Sequence, residues 1–168
     1  MNYFDDQNLS VFITSKDSKM RINKIGLNEI SSEKKDGLKT IQTKKKNTRQ
    51  TILGFGGAFT EASASIYHKL SLERKKEIIQ AYFGENGNAY NMGRSHINSC
   101  DFSLGNYAHC ETPNDKELND FSISRDKEML IPFIKDALHE SKLPIHIMAS
   151  PWSPPLWMKT NGQMNHGG

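Results

Sequence analysis

The sequence predicts an α/β fold built from parallel strand–helix–strand units, and three observations carry that reading. From Gln50 onwards, apolar segments of strand length alternate with amphipathic segments of helix length in the order strand, helix, strand, helix, strand. The last apolar segment, Leu143-Pro144-Ile145-His146-Ile147-Met148, has the branched apolar character of a buried strand and runs into Ala149-Ser150-Pro151-Trp152-Ser153-Pro154-Pro155-Leu156-Trp157. Pro151, Pro154 and Pro155 remove donors and fix φ there, so the backbone leaves the sheet as a stiff loop carrying two indoles. In α/β folds that end of a strand is where ligands bind.

Composition narrows the function classes. The chain has 168 residues, enough for one domain of ordinary size, and a hydrophobic fraction of 36%. Its mean hydropathy is -0.65, and most of the polarity lies before Gln50. The net charge of +3 is concentrated in Lys34, Lys35, Lys39, Lys44, Lys45, Lys46 and Arg49. With little aromatic interleaving, that cluster reads as a solvated loop or a lysine-rimmed sheet edge rather than a nucleic-acid face. Cys100 and Cys110 fit no metal spacing and read as reduced thiols, and His96, His109 and His146 show no ligand spacing. No metal and no cofactor are expected. The segment Met1-Asn2-Tyr3-Phe4-Asp5-Asp6 lacks a basic region followed by an apolar core, and no run approaches the roughly 20 apolar residues of a membrane span. The expectation is a soluble, cytoplasmic chain.

Leu9-Ser10-Val11-Phe12-Ile13-Thr14 has β-branched and aromatic content suited to a strand, followed by turn chemistry at Ser15-Lys16-Asp17-Ser18. Leu38-Lys39-Thr40-Ile41-Gln42-Thr43 alternates as a half-exposed strand does. These short antiparallel strands are too few and too polar for a core of their own. Thr51-Ile52-Leu53-Gly54-Phe55 reads as a buried strand running into Gly56-Gly57, followed by a small-residue segment from Ala58 to Ser65. A helix then starts at the N-cap Ser71, with Glu73 at the positive end of its dipole. Leu72, Ile78, Ile79, Tyr82 and Phe83 recur at helical spacing until Gly84. Ala89-Tyr90-Asn91-Met92-Gly93-Arg94 with Ile97 is the next strand, opening into a long loop from Asn98 through Pro113. Leu130, Phe133, Ile134, Ala137 and Leu138 mark the second helix, with Pro132 either in its first turn or at a kink. Three parallel strands cannot close a barrel, which takes about 250 residues, so the chain reads as the N-terminal part of a larger fold.

Each strand delivers chemistry to one rim. The first brings Gly54-Phe55-Gly56-Gly57-Ala58-Phe59-Thr60-Glu61, the second Arg94 and then Asp101-Phe102, the third Trp152 and Trp157. A carboxylate, a guanidinium and flat aromatic faces suit a sugar, whose hydroxyls bond to Asp and Arg and whose apolar face stacks on indole. The glycines fit a dinucleotide loop poorly, because Phe59 holds its sixth position. They read instead as a site of bending and close approach. Glu61 reads either as an acid or base or as a structural group.

On those residues the chain resembles the N-terminal part of the glucosylceramidase family, glycoside hydrolase family 30. The matching motifs are Gly54-Phe55-Gly56-Gly57-Ala58-Phe59-Thr60-Glu61-Ala62, Tyr90-Asn91-Met92-Gly93-Arg94, Ser99-Cys100-Asp101-Phe102-Ser103, and Ala149-Ser150-Pro151-Trp152-Ser153-Pro154-Pro155 continuing to Lys159-Thr160-Asn161-Gly162. The resemblance implies that residues 50–168 are the first three βα units of a (β/α)8 TIM barrel and residues 1–49 are strands of an accessory β-sandwich. It implies retaining hydrolysis of β-glycosides, glucosylceramide being the name-giving substrate. Carried over by motif, Asp101 would bond the hydroxyls of the cleaved sugar, Trp152 would contact that sugar, Phe102 would line the pocket, and Arg94 would orient the nucleophile carboxylate. Both catalytic glutamates of the family follow later strands, so no catalytic residue is expected in this chain, and the chain by itself is expected to be inactive. Its expected partners are a β-glycoside and the missing C-terminal part of the barrel. The competing reading is a non-catalytic sugar-binding module or a decayed gene product.

Overall fold

The computed structural model describes residues 10–30, 36, 37, 39 and 46–168. Two compact units divide the chain, Met1–Gln50 and Thr51–Gly168. In the first, strands β1 (Val11–Ile13) and β2 (Asn23–Ile25) pair antiparallel, Val11 opposite Ile25. Apart from Lys39, the expected strand over Leu38–Thr43 lies outside the described residues.

The second unit is the α/β portion. Its three-stranded sheet runs in the order β3 (Gly56–Phe59), β4 (Met92–Ile97), β5 (His146–Pro151), both pairings being parallel. Helices α1 (Glu61–Lys69) and α2 (Leu72–Phe83) connect β3 to β4, and α3 (Ser124–Glu128) and α4 (Leu130–Glu140) connect β4 to β5. The α/β architecture expected from the order of segments is therefore present.

Several boundaries move. The first strand of this sheet is not Thr51–Phe55, where Ile52, Leu53 and Phe55 are exposed, but the glycine-bearing stretch after it. Backbone approach decides this, since a Cβ on Gly56 would overlap the carbonyl of Met92 on the neighbouring strand. The small-residue segment contains a helix of its own. Thr60 caps α1 by accepting from the Ser63 N–H at 3.1 Å, and Ala64, Ser65 and Tyr67 are buried along it. Ala and Ser carry so little hydrophobic contrast that the periodicity is hard to read there.

Ser71 caps α2 as expected and Gly84 closes it, but Leu72 is exposed, leaving Ile79 and Phe83 as its buried contacts. Pro132 occupies the third position of α4, where its missing N–H removes no intrahelical bond. The last strand starts only at His146, three residues into the apolar segment, and extends to Pro151, opposite Ile97. It lies at the edge of the described sheet with Ile147 and Met148 exposed, so it is not a buried strand here.

The core lies between sheet and helices. Phe59 stacks on Phe83 with centroids 5.6 Å apart and meets Phe133 edge-on at 5.3 Å, joining β3 to α2 and α4. Gly93 on β4 leaves the space the Phe59 ring occupies, because a Cβ there would sit 2.7 Å from it. Ala64, Tyr67, Ile79, Leu130 and Ala137 complete the cluster, and the Tyr67 hydroxyl donates to Asp136 at 2.7 Å, tying α1 to α4. With Phe59 directed at the helices, the other side of the sheet and the strand C-terminal ends are left for a site.

Candidate functional site

Arg94, Phe102 and Trp152 line one depression of about 140 Å³ at the C-terminal end of the sheet. The Arg94 guanidinium lies 4.9 Å from the centre of the Trp152 ring, a cation–π contact, and its Nη2 donates to Ser150 Oγ at 3.3 Å. Asp101 and Trp152 line the adjoining cleft, of about 680 Å³, with Ser99, Ser103 and Asn106. Trp152 and Cys100 border both spaces. The four residues singled out in the sequence thus line two adjoining spaces that share Trp152, and Asp101, Phe102 and Trp152 are exposed.

Trp157 does not join them. Its Nε1 donates to the carbonyl of Cys110 at 3.0 Å, and its ring lies beside Ile97 and His109 in a separate apolar groove. The proline-rich loop therefore offers one indole to the cleft and uses the other as an anchor. Lys159 borders the cleft, but its ammonium is held by the carbonyls of Met164 and Asn165 at 3.2 and 3.3 Å.

The loop between β4 and α3 carries Asp101 and is organised by buried polar groups that the motif reading passed over. Asn98, at positive φ, ends the strand. Its amide donates to the Ser153 carbonyl at 2.9 Å and accepts the His109 N–H at 2.9 Å, joining the tryptophan loop to the aspartate loop. Farther along, Asp126 accepts from the Tyr107 hydroxyl and from His109 Nε2, each at 2.8 Å. Burial and the Asp126 carboxylate both push the Tyr107 hydroxyl above its ordinary range. His96 is buried with Nδ1 2.7 Å from the Asn98 carbonyl, which makes Nδ1 the donor; among the described residues its Nε2 has no partner. No spacing in the chain announces this network, because its members come from four separated segments.

Glu61 resolves as a structural group rather than a free acid or base. It is only 4% exposed. It accepts from the Leu104 N–H at 2.7 Å and from Arg125 Nε and Nη2 at 2.7 and 3.3 Å. Burial acts to raise its pKa, but the bonds from Arg125 and Leu104 and the attraction of Arg125 outweigh that and leave it below the ordinary 4.5. A carboxyl with a lowered folded pKa stabilises the fold above its unfolded pKa, and that contribution disappears as pH falls through the folded value. Between pH 7 and pH 3 the wild-type chain is therefore expected to lose more unfolding free energy than Glu61→Gln, as measured by urea titration. Equal acid slopes would remove Glu61 as a source.

Known proteins resemble this chain in sequence and in fold. Mouse lysosomal acid glucosylceramidase is 44% identical over 132 residues, covering 78% of this chain and 25% of that protein. The crystal structure of SrfJ from Salmonella typhimurium superimposes with a TM-score of 0.67 at 44% identity, covering 71% of this chain and 26% of that one. The endo-β1,6-glucanase BT3312 superimposes at 0.62 with 28% identity, covering 69% of this chain and 25% of its own. The chain thus spans about a quarter of the length of the relatives it matches. The profile of the glycosyl hydrolase family 30 TIM-barrel domain matches residues 52–168, the whole α/β unit with its aspartate and tryptophan loops, and the chain belongs to that family.

Proposed function

We propose that residues 50–168 form the first three βα units of a retaining β-glycoside hydrolase of the glucosylceramidase type and supply part of its sugar site. The observation that carries this is that Asp101 and Trp152 line the same cleft while the Arg94 guanidinium lies 4.9 Å from the centre of the indole. In this reading the indole takes the apolar face of a β-glucosyl ring and Asp101 accepts from its hydroxyls. Phe102 closes the wall, and Arg94 holds a carboxylate in place for attack on the anomeric carbon. The names of the relatives, a glucosylceramidase and an endo-β1,6-glucanase, favour a β-linked glucosyl unit. The β1–β2 pair is assigned to an accessory β-sandwich, and the rest of the barrel is the partner that completes the site.

Retaining hydrolysis needs two carboxyl groups about 5 Å apart. Among the described residues lining the two spaces there is one, Asp101, and Glu61 is engaged by Arg125 and Leu104. The purified chain is therefore expected to bind phenyl 1-thio-β-D-glucoside, seen as a change in indole fluorescence that Trp152→Ala abolishes, and to release no phenol from aryl β-glucosides. Turnover at the rate of an ordinary glycosidase would refute the assignment of the catalytic carboxylates elsewhere. Absence of thioglucoside binding would refute the sugar site.

A further inference from the structure

We propose that Glu61 is the positioning residue for Asp101, acting through the backbone of residues 101–104; this rests on the sugar-site reading above. Asp101 stands on a tight turn closed by the Ser103 N–H donating to the Cys100 carbonyl and the Cys100 N–H donating to Ser103 Oγ, each at 3.0 Å. A turn of this kind fixes its own shape but not its aim. Two further bonds supply the aim, and both lead to the first turn of α1. The Ala62 N–H donates to the Phe102 carbonyl at 3.0 Å, and the Leu104 N–H donates to Glu61 Oε2 at 2.7 Å.

The carboxylate that receives Leu104 is itself immobilised. Arg125 donates to both of its oxygens from the start of α3, and the guanidinium lies 4.2 Å from the centre of the Tyr107 ring, whose hydroxyl is bound to Asp126. The grip on the turn therefore joins the start of α1, the start of α3 and the middle of the long loop. Glu61 does not itself line either space, and its hydrogen bond to the Leu104 N–H is the route by which it acts on the turn.

The test follows the Leu104 amide and sugar binding together, well below the unfolding temperature. In the wild-type chain the Leu104 amide proton is expected far downfield and slow to exchange. In Glu61→Gln it moves upfield and exchanges faster, and affinity for phenyl 1-thio-β-D-glucoside falls about tenfold, the scale of one charge-assisted hydrogen bond. Glu61→Asp keeps the charge opposite Arg125 but is one methylene shorter, and it is expected to show the same two changes, which covers the case in which Glu61→Gln does not fold. Adding Asp101→Asn to either variant should weaken binding little beyond Asp101→Asn alone, because both changes act on one contact. Full additivity, or unchanged affinity with a displaced Leu104 amide, overturns the positioning role. A wild-type chain that binds no thioglucoside instead overturns the sugar site on which this role depends.

Discussion

Phe59→Ala is expected to destabilise the α/β unit by about 3–5 kcal/mol, the cost of removing a buried aromatic ring when the walls cannot close on the space. Phe59 is 3% exposed and touches α2 through Phe83 and α4 through Phe133. It also fills the space left by Gly93 on β4. The loss falls on both crossovers at once, which is why no single neighbour can compensate. Urea unfolding followed by far-ultraviolet circular dichroism measures it, with Ile66→Ala as control, since Ile66 is exposed and should change little. A change below about 1 kcal/mol for Phe59→Ala would mean that the sheet and helices do not share this core.

Asp126→Ala ranks second, at about 3 kcal/mol, because it strands two buried donors, the Tyr107 hydroxyl and His109 Nε2–H. Asp126→Asn keeps one of the two accepting oxygens and is expected to cost less than Asp126→Ala. The consequence reaches the cleft, since His109 also donates its backbone N–H to Asn98, and Asn98 holds the tryptophan loop through Ser153. Equilibrium unfolding gives the stabilities, and the indole resonances of Trp152 and Trp157 report the loops. Unmoved indole resonances in a folded Asp126→Ala chain would uncouple this network from the cleft.

Much of the candidate site was legible because its residues occur in short local motifs at strand ends. Ser99-Cys100-Asp101-Phe102-Ser103 follows one strand and Pro151-Trp152-Ser153-Pro154-Pro155 follows the next, and parallel strands bring such ends to a common rim. The two tryptophans show where local reading stops. They occupy the same proline-rich loop, yet Trp152 faces the cleft while Trp157 is held by the Cys110 carbonyl. That distinction depends on a partner 47 positions away in the chain. Glu61 is similar, because nothing near it in sequence shows that Leu104 and Arg125 claim its oxygens.

The order of strands and helices, the caps at Thr60 and Ser71 and the tolerance for Pro132 at the start of α4 were set locally, by hydrogen-bonding capacity and side-chain shape within a few residues. The exact strand at 56–59, the burial of Glu61 and the network around Asp126 were decided only when distant segments met. Close backbone approach and the desolvation of polar groups are properties of pairs of segments, and no single stretch of chain contains them.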